Sequence, residues 1–305
     1  MNTIIKKVAV LLFTITLCVL NVLSQTDEET VRIKIGGISI NSENHQVLDT
    51  CQIGVYYNYT YPQKSESIIE KRSDTLFLAI GKNVSVFLDP LYKEKLEIDR
   101  KARFARSRKA KLINNEYSNI NDILEVININ SDYKEDDPGD PVQIYKNRNA
   151  LLVSSIYNSY VDNIQCDQMI NQMHEWEIIE ETDTIMGYLC QKAKINYSGR
   201  NYTAWFAKDI AVNDGPWKFW GLPGLILKCS DDDGLFEWVA IGISNLNADI
   251  VKDKVVYEKI HIKGFNNFVK RMTNEIIVSF YNNDVLYMTN KEREYERVPI
   301  EIIYD

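Results

Sequence analysis

Six aromatic side chains crowd into nineteen residues: Tyr202, Trp205, Phe206, Trp217, Phe219 and Trp220. Aromatic residues make up 11% of the chain, which would place about two there, and three of its five tryptophans are among the six. Such rings bury large areas and stack on planar or cationic groups. Arg200 opens the segment and Gly221-Leu222-Pro223-Gly224 closes it. An arginine at that place binds a carboxylate or caps loop carbonyls. The glycines and the proline set backbone turns that other residues resist. Two readings follow, and they are not exclusive. In one, Arg200, Trp205, Trp217, Trp220, Gly221, Pro223 and Gly224 form an exposed ligand-binding surface. In the other, the rings plug one end of a β-sheet and Arg200 serves the loop itself.

Other chemistry has less support. His45, His174 and His261 are the only histidines; none has a ligand or triad partner at a familiar spacing, and each reads as a surface or turn residue. No nucleophile elbow, zincin helix or glycine-rich phosphate loop occurs. Asp231-Asp232-Asp233-Gly234 resembles a calcium loop only superficially, since Cys229 and Ala240 then stand where ligands belong. Asp209 and Asp214 are the one carboxylate pair beside the aromatics; as a dyad they would do general acid–base work, and as turn residues they cap and open loops. No metal and no cofactor is expected.

The elements that position these residues alternate with period two. Val31, Ile33 and Ile35 point one way, as do Cys51, Ile53, Val55, Tyr57, Tyr59 and Tyr61. Leu76–Ile80 and Val84–Leu88 read as a hairpin about Gly81-Lys82-Asn83. Trp176–Glu180, Tyr188–Tyr197 and Tyr202–Phe206 read as consecutive strands, and Leu225–Ser230 and Leu235–Ile243 flank the Asp231–Gly234 turn. Phe265–Glu275 suits a short helix before a last hairpin, Ile276–Tyr281 with Val285–Met288. The main interruption by helical spacing covers residues 91–125, where Lys93–Lys111 carries nine basic residues on what reads as a solvated face; Asp132–Pro141 is a loop. The expected fold is mainly β: a large curved antiparallel sheet or open barrel with one main helical insertion, in a single domain over residues 25–305.

Of the 305 residues, the first 24 read as a secretory signal peptide: Lys6 and Lys7, then a thirteen-residue apolar run, Val8–Leu20, then Val22-Leu23-Ser24. That run is short of the roughly 20 residues that span a bilayer, so no transmembrane segment is expected after its removal. Leu17 before Cys18 does not suit a lipid-attachment site. Cys51, Cys166, Cys190 and Cys229 remain. In an exported chain they are compatible with two disulfides in any of three pairings, or with four buried thiols. The formal net charge of −8 argues against nucleic-acid binding.

Gly221-Leu222-Pro223-Gly224-Leu225-Ile226 spells the motif of the GLPGLI family of exported Bacteroidota proteins, and its context resembles that family too. Ile185–Ala193 is similar to the strand leading in; Gly199-Arg200, Thr203–Phe206 and Asp214–Phe219 resemble the central signature, and Leu76–Gly81 the first hairpin. The resemblance is close over residues 176–243 and looser over about 31–90. Near the C-terminus, Val298-Pro299-Ile300-Glu301 departs from the family's Asn-Pro-Ile-Glu pattern. The resemblance implies an exported envelope protein of the periplasm or outer-membrane periphery, often encoded beside TonB-dependent outer-membrane receptors. Asp74-Thr75-Leu76 and Asp183-Thr184-Ile185 resemble the O-glycosylation acceptors of such bacteria. The functional expectation is a non-catalytic ligand- or partner-binding envelope protein. Its alternatives are a carrier of apolar cargo in a half-barrel and a carboxylate-dependent periplasmic hydrolase.

Overall fold

Alternating side chains pair into strands wherever one parity is apolar. The computed structural model describes residues 33–37, 42–65, 68–94, 140–158, 163–169, 175–272, 276–281, 284–290 and 296–297. The strands are β1 (Lys34–Ile35), β2 (His45–Ser65), β3 (Ile68–Gly81), β4 (Val84–Leu88), β5 (Val142–Asn147), β6 (Leu152–Asn158), β7 (Asn163–Met169), β8 (Glu177–Ile185), β9 (Tyr188–Tyr197), β10 (Arg200–Ala207), β11 (Leu225–Asp231), β12 (Glu237–Asp253) and β13 (Glu258–Lys259). Helix α1 (Ile262–Met272) and strands β14 (Ile276–Tyr281), β15 (Asp284–Asn290) and β16 (Glu296–Arg297) follow. The expected helix at 91–125 and loop at 132–141 lie almost wholly outside the described residues.

One large open sheet runs β13-β7-β6-β5-β4-β3-β2-β12-β11-β10-β9-β8, with β1 beside β12 and β16 beside β2. The ladders are antiparallel except for two-residue parallel contacts of β1 with β12 and of β13 with β7, so the sheet is mixed rather than purely antiparallel. Those two strands are each joined to their neighbour by long stretches of chain, not by hairpins, and either direction is then open to them. Strand β8 ends the sheet, and Glu177, Glu180, Glu181 and Asp183 stand exposed along it. Charge on an open edge disfavours pairing with another chain.

The long central strands β2 and β12 each serve two cores. On β2, Val55, Tyr57, Tyr59 and Tyr61 enter the larger cluster; on β12, Trp238 and Ala240 do. Further along, Cys51, Ala248 and Ile250 enter the second cluster, with Phe77, Ala79 and Val86. The switch is possible because the β2–β12 ladder skips register between Asn245 and Ala248. An unpaired residue turns every later side chain to the opposite face. Phe265 on α1 closes a third cluster with Tyr157, Ile164 and Cys166.

The four cysteines among the described residues are buried and none is in a disulfide, so the two-disulfide alternative is not met. They sit on β2, β7, β9 and β11, no two of which are adjacent in the sheet. Strands two apart lie about 9–10 Å from each other, beyond the reach of a disulfide.

These buried groups set an expected pH response. Burial pushes the Cys190 thiol up to about 11, Tyr257 up to about 12, and Cys229 and Tyr57 well above their ordinary values. The folded chain keeps protons that the unfolded chain releases near pH 9 for thiols and 10 for phenols. Their contribution is complete below those values and is lost as pH rises. Burial lowers the pKa of Lys146 and Lys252, which gives a slope of opposite sign from fewer groups. The urea midpoint is expected to fall steadily above about pH 9; a flat profile to pH 11 contradicts this burial.

Candidate functional site

Residues 208–224, between β10 and β11, cross the inner face of the sheet. Lys146 holds them there. It follows Ile144 on β5 by two positions and shares its inward parity, between Ser85 of β4 and Val153 of β6. Its side chain is 1% exposed and ion-paired with Asp214, itself 1% exposed. The ammonium also donates to the carbonyls of Gly215 (2.6 Å) and Phe219 (3.3 Å). Burial lowers its pKa, and the neighbouring Asp214 carboxylate opposes that shift. Arg148, in the turn after β5, pairs with the other Asp214 oxygen and donates to the Gly81 carbonyl at 3.2 Å. The Arg148 amide donates to Asn83 at 2.9 Å. The first hairpin and the aromatic segment are thereby joined through one end of β5.

The backbone of the segment is tied down along its length. Asp214 N–H donates to Val212, Phe219 N–H to Pro216 and Leu225 N–H to Ile210, while the Asp214 carbonyl accepts from Ile226. Tyr57 of β2 donates its hydroxyl to the Ile226 carbonyl at 2.7 Å. Lys218 turns inward and donates to Gln168 of β7 at 2.8 Å. Gly221 has φ 101°, and a Cβ on Gly224 would collide with the Ala207 carbonyl. These glycines let the chain fold back tightly onto β10.

The aromatic rings close the inner face. Trp217 stacks on Trp238 (5.9 Å, 10°), Trp238 on Tyr59 (5.0 Å, 12°) and Tyr59 on Tyr61 (5.0 Å, 23°), a column of four rings from three parts of the chain. Phe219 meets Tyr202, Trp217, Tyr197, Trp238 and Trp176 edge-on. Edge-to-face and offset contacts satisfy the ring quadrupoles. Trp217 has φ 50°, a conformation that is strained for a bulky residue.

The expected site residues therefore separate. Trp217 and Arg200 are each 7% exposed, so an exposed cluster of Trp217, Trp220 and Arg200 is not what the fold holds. Arg200 reaches Asp231 (3.5 Å) and Asp233 (3.4 Å) and lies over the Phe236 ring, tying together the β9–β10 and β11–β12 turns. Its carboxylate partners belong to its own chain. Trp205 is half-buried, its backbone in register with Lys192 and Lys228. Lys192 lies 5.5 Å from its ring. Trp220 is half-buried and its carbonyl accepts from the Trp176 indole at 2.8 Å. Gly221 and Pro223 are exposed, and Gly224 is buried.

The Asp209–Asp214 dyad is not assembled: Asp209 is exposed, and Asp214 lies buried between two cations. His45 is buried rather than at the surface, 3.2 Å from Asp253, whose other oxygen accepts from Asn158 at 2.6 Å. His261 is exposed, and His174 lies outside the described residues. Among the described residues no group of three or more His, Cys, Asp or Glu side chains is placed to hold a metal. None of their helices is long and apolar enough to cross a membrane. Lys146 and Arg148 escaped the sequence reading. The available signal was a lysine at the parity of Ile144, where alternation calls for an apolar residue.

Comparison with known proteins adds three findings. A search of curated proteins gives no match. Two solved structures, of PNGF-II in the P21 and C2 space groups, resemble this chain with TM-scores of 0.44 and 0.42 at 16% and 15% identity. Each likeness covers 75% of this chain and 35% of the other, so this chain spans about a third of that length. A family model described as a protein of unknown function (Porph_ging), from a Bacteroidota-associated family, matches residues 198–228. That stretch contains Arg200, the whole crossing segment and most of β11.

Proposed function

We propose that this is an exported, non-catalytic protein of the cell envelope that binds a partner through the outer rim of the crossing segment, around Trp220, Gly221 and Pro223. The observation that carries this reading is the Lys146–Asp214–Arg148 cluster beneath the rim. Replacing a buried ion cluster by apolar side chains of similar volume is often neutral or stabilising, so a plug alone does not require one. Charges and a left-handed Trp217 held in a core are instead what a precisely shaped surface above them requires. The TonB-dependent receptor implied by the family resemblance is the partner class this reading favours.

The other readings have less support. An apolar cargo would need the inner face that Trp217, Phe219 and Leu222 fill. A hydrolase would need a free carboxylate where Asp214 is already neutralised.

Photo-crosslinking in the native envelope tests the proposal. A crosslinking residue at position 223 is expected to give a discrete protein adduct, and one at exposed Lys71 on β3 is not. No adduct from position 223, or the same adducts from both, contradicts it.

A further inference from the structure

The far side of β8 has no neighbouring strand among the described residues. A free edge offers a row of backbone donors and acceptors, and an extended segment can add itself there as a further strand. Eight of the nine residues of β8 are exposed or half-buried. The edge also begins at the rim of the crossing segment. Trp176 immediately precedes β8, donates its indole N–H to the Trp220 carbonyl at 2.8 Å and meets Phe219 edge-on at 5.9 Å. Ile178, two positions on, shares the parity of Trp176. It pairs with Ala193 of the larger core, yet is 48% exposed.

The charge along this edge has one sign. Glu175, Glu177, Glu180, Glu181 and Asp183 are exposed, and β8 carries no lysine or arginine. On β9, Lys192 pairs with Glu181 at 2.6 Å and Lys194 stands in register with Glu177. Two lysines beside five carboxylates leave the edge negative. The side chains also sort by face. Trp176 and Ile178 lie on the rim side, while Glu177 and Glu181, beside those lysines, lie on the other. A strand laid here meets apolar groups on one face and carboxylates on the other. A second copy of this chain would bring its own carboxylates and is repelled, which is the protection that such an edge gives. A cationic strand is attracted by the same charges.

We infer that β8 takes up an extended, cationic segment of the rim's partner, a strand that alternates basic and apolar side chains. Backbone hydrogen bonds to β8 supply the pairing. Trp176 and Ile178 receive the apolar side chains, and the glutamates receive the basic ones. The inference rests on the rim reading and names the chemistry of what binds there.

The test uses the full chain, isotope-labelled. It is titrated with a peptide of about eight residues alternating lysine and valine, with its glutamate–valine counterpart, and with spermine as a cation that has no peptide backbone. Saturable backbone shifts over residues 176–185 are expected with the lysine peptide at roughly millimolar concentration, together with slowed hydrogen exchange of β8 amides. The glutamate peptide is expected to bind at least about tenfold more weakly, and spermine to leave β8 exchange unchanged. In the combined Glu177→Lys and Glu180→Lys variant, the preference between the two peptides is expected to reverse. The single variant Glu180→Gln, expected to weaken binding of the lysine peptide, serves if the combined variant does not fold. No shift at β8 with the lysine peptide up to about 10 mM, equal binding of the glutamate peptide, the same protection by spermine, or an unchanged preference in the variants overturns the inference. An adduct from position 223 without peptide binding at β8 overturns the inference and leaves the rim reading standing. Peptide binding at β8 with no adduct from position 223 keeps the edge site and contradicts the rim reading.

Discussion

Asp214→Ala is expected to destabilise the fold by about 3–5 kcal/mol, the cost typical of removing one partner from a buried ion pair. The substitution leaves the Lys146 ammonium buried, with only the Gly215 and Phe219 carbonyls as acceptors. Arg148 suffers less, because its side chain is 20% exposed and reaches water. Removing the charge on both sides separates a broken pair from a dispensable one. Lys146→Met combined with Asp214→Leu is expected to recover most of the loss, because apolar replacements of similar volume restore packing without a stranded ion. Urea unfolding of the two variants measures both effects. A loss under about 1 kcal/mol for Asp214→Ala would show that water reaches the cluster and that it does not hold the segment.

Trp217→Ala is expected to cost a similar amount, about 3–5 kcal/mol, by emptying one end of the four-ring column and exposing the Trp238 face beneath it. The backbone supplies a sharper signature. At φ 50° an alanine keeps the Cβ that makes this region unfavourable, whereas glycine does not. Trp217→Gly is therefore expected to be the more stable of the two by about 1 kcal/mol, the reverse of the usual order of alanine and glycine. Denaturant unfolding of both variants checks the order. Alanine being the better replacement would mean that the segment relaxes its backbone once the ring is gone.

Much of the fold was legible because it is encoded locally. The hairpin about Gly81-Lys82-Asn83, the strands β9 and β10 and the Asp231–Gly234 turn each declare themselves within about a dozen residues, through alternation and turn chemistry. Burial of the site was not legible. Six rings in nineteen residues look alike as a platform and as a plug. What decides between them is Trp238 and Tyr59, which reach Trp217 only through the pairing of β12 with β2. The clamp was hidden for the same reason, since Lys146 and the carbonyl it caps are 69 residues apart. Cysteine number was uninformative because an even count says nothing of which strands lie side by side. Face switching on β2 was hidden too: Cys51 and Ile53 keep the same parity in the sequence, and only the bulge at Gln52 sends them to different cores.

The central claim is that the crossing segment is anchored inward by Trp217 and presents its rim outward. Thermal unfolding of Trp217→Ala beside Trp220→Ala tests it most directly. Trp217→Ala is expected to lower the midpoint by several degrees and Trp220→Ala by less than half as much, because Trp220 is only partly buried. Equal shifts, or a Trp217→Ala midpoint that stays with the parent protein, would contradict it and return both tryptophans to the surface.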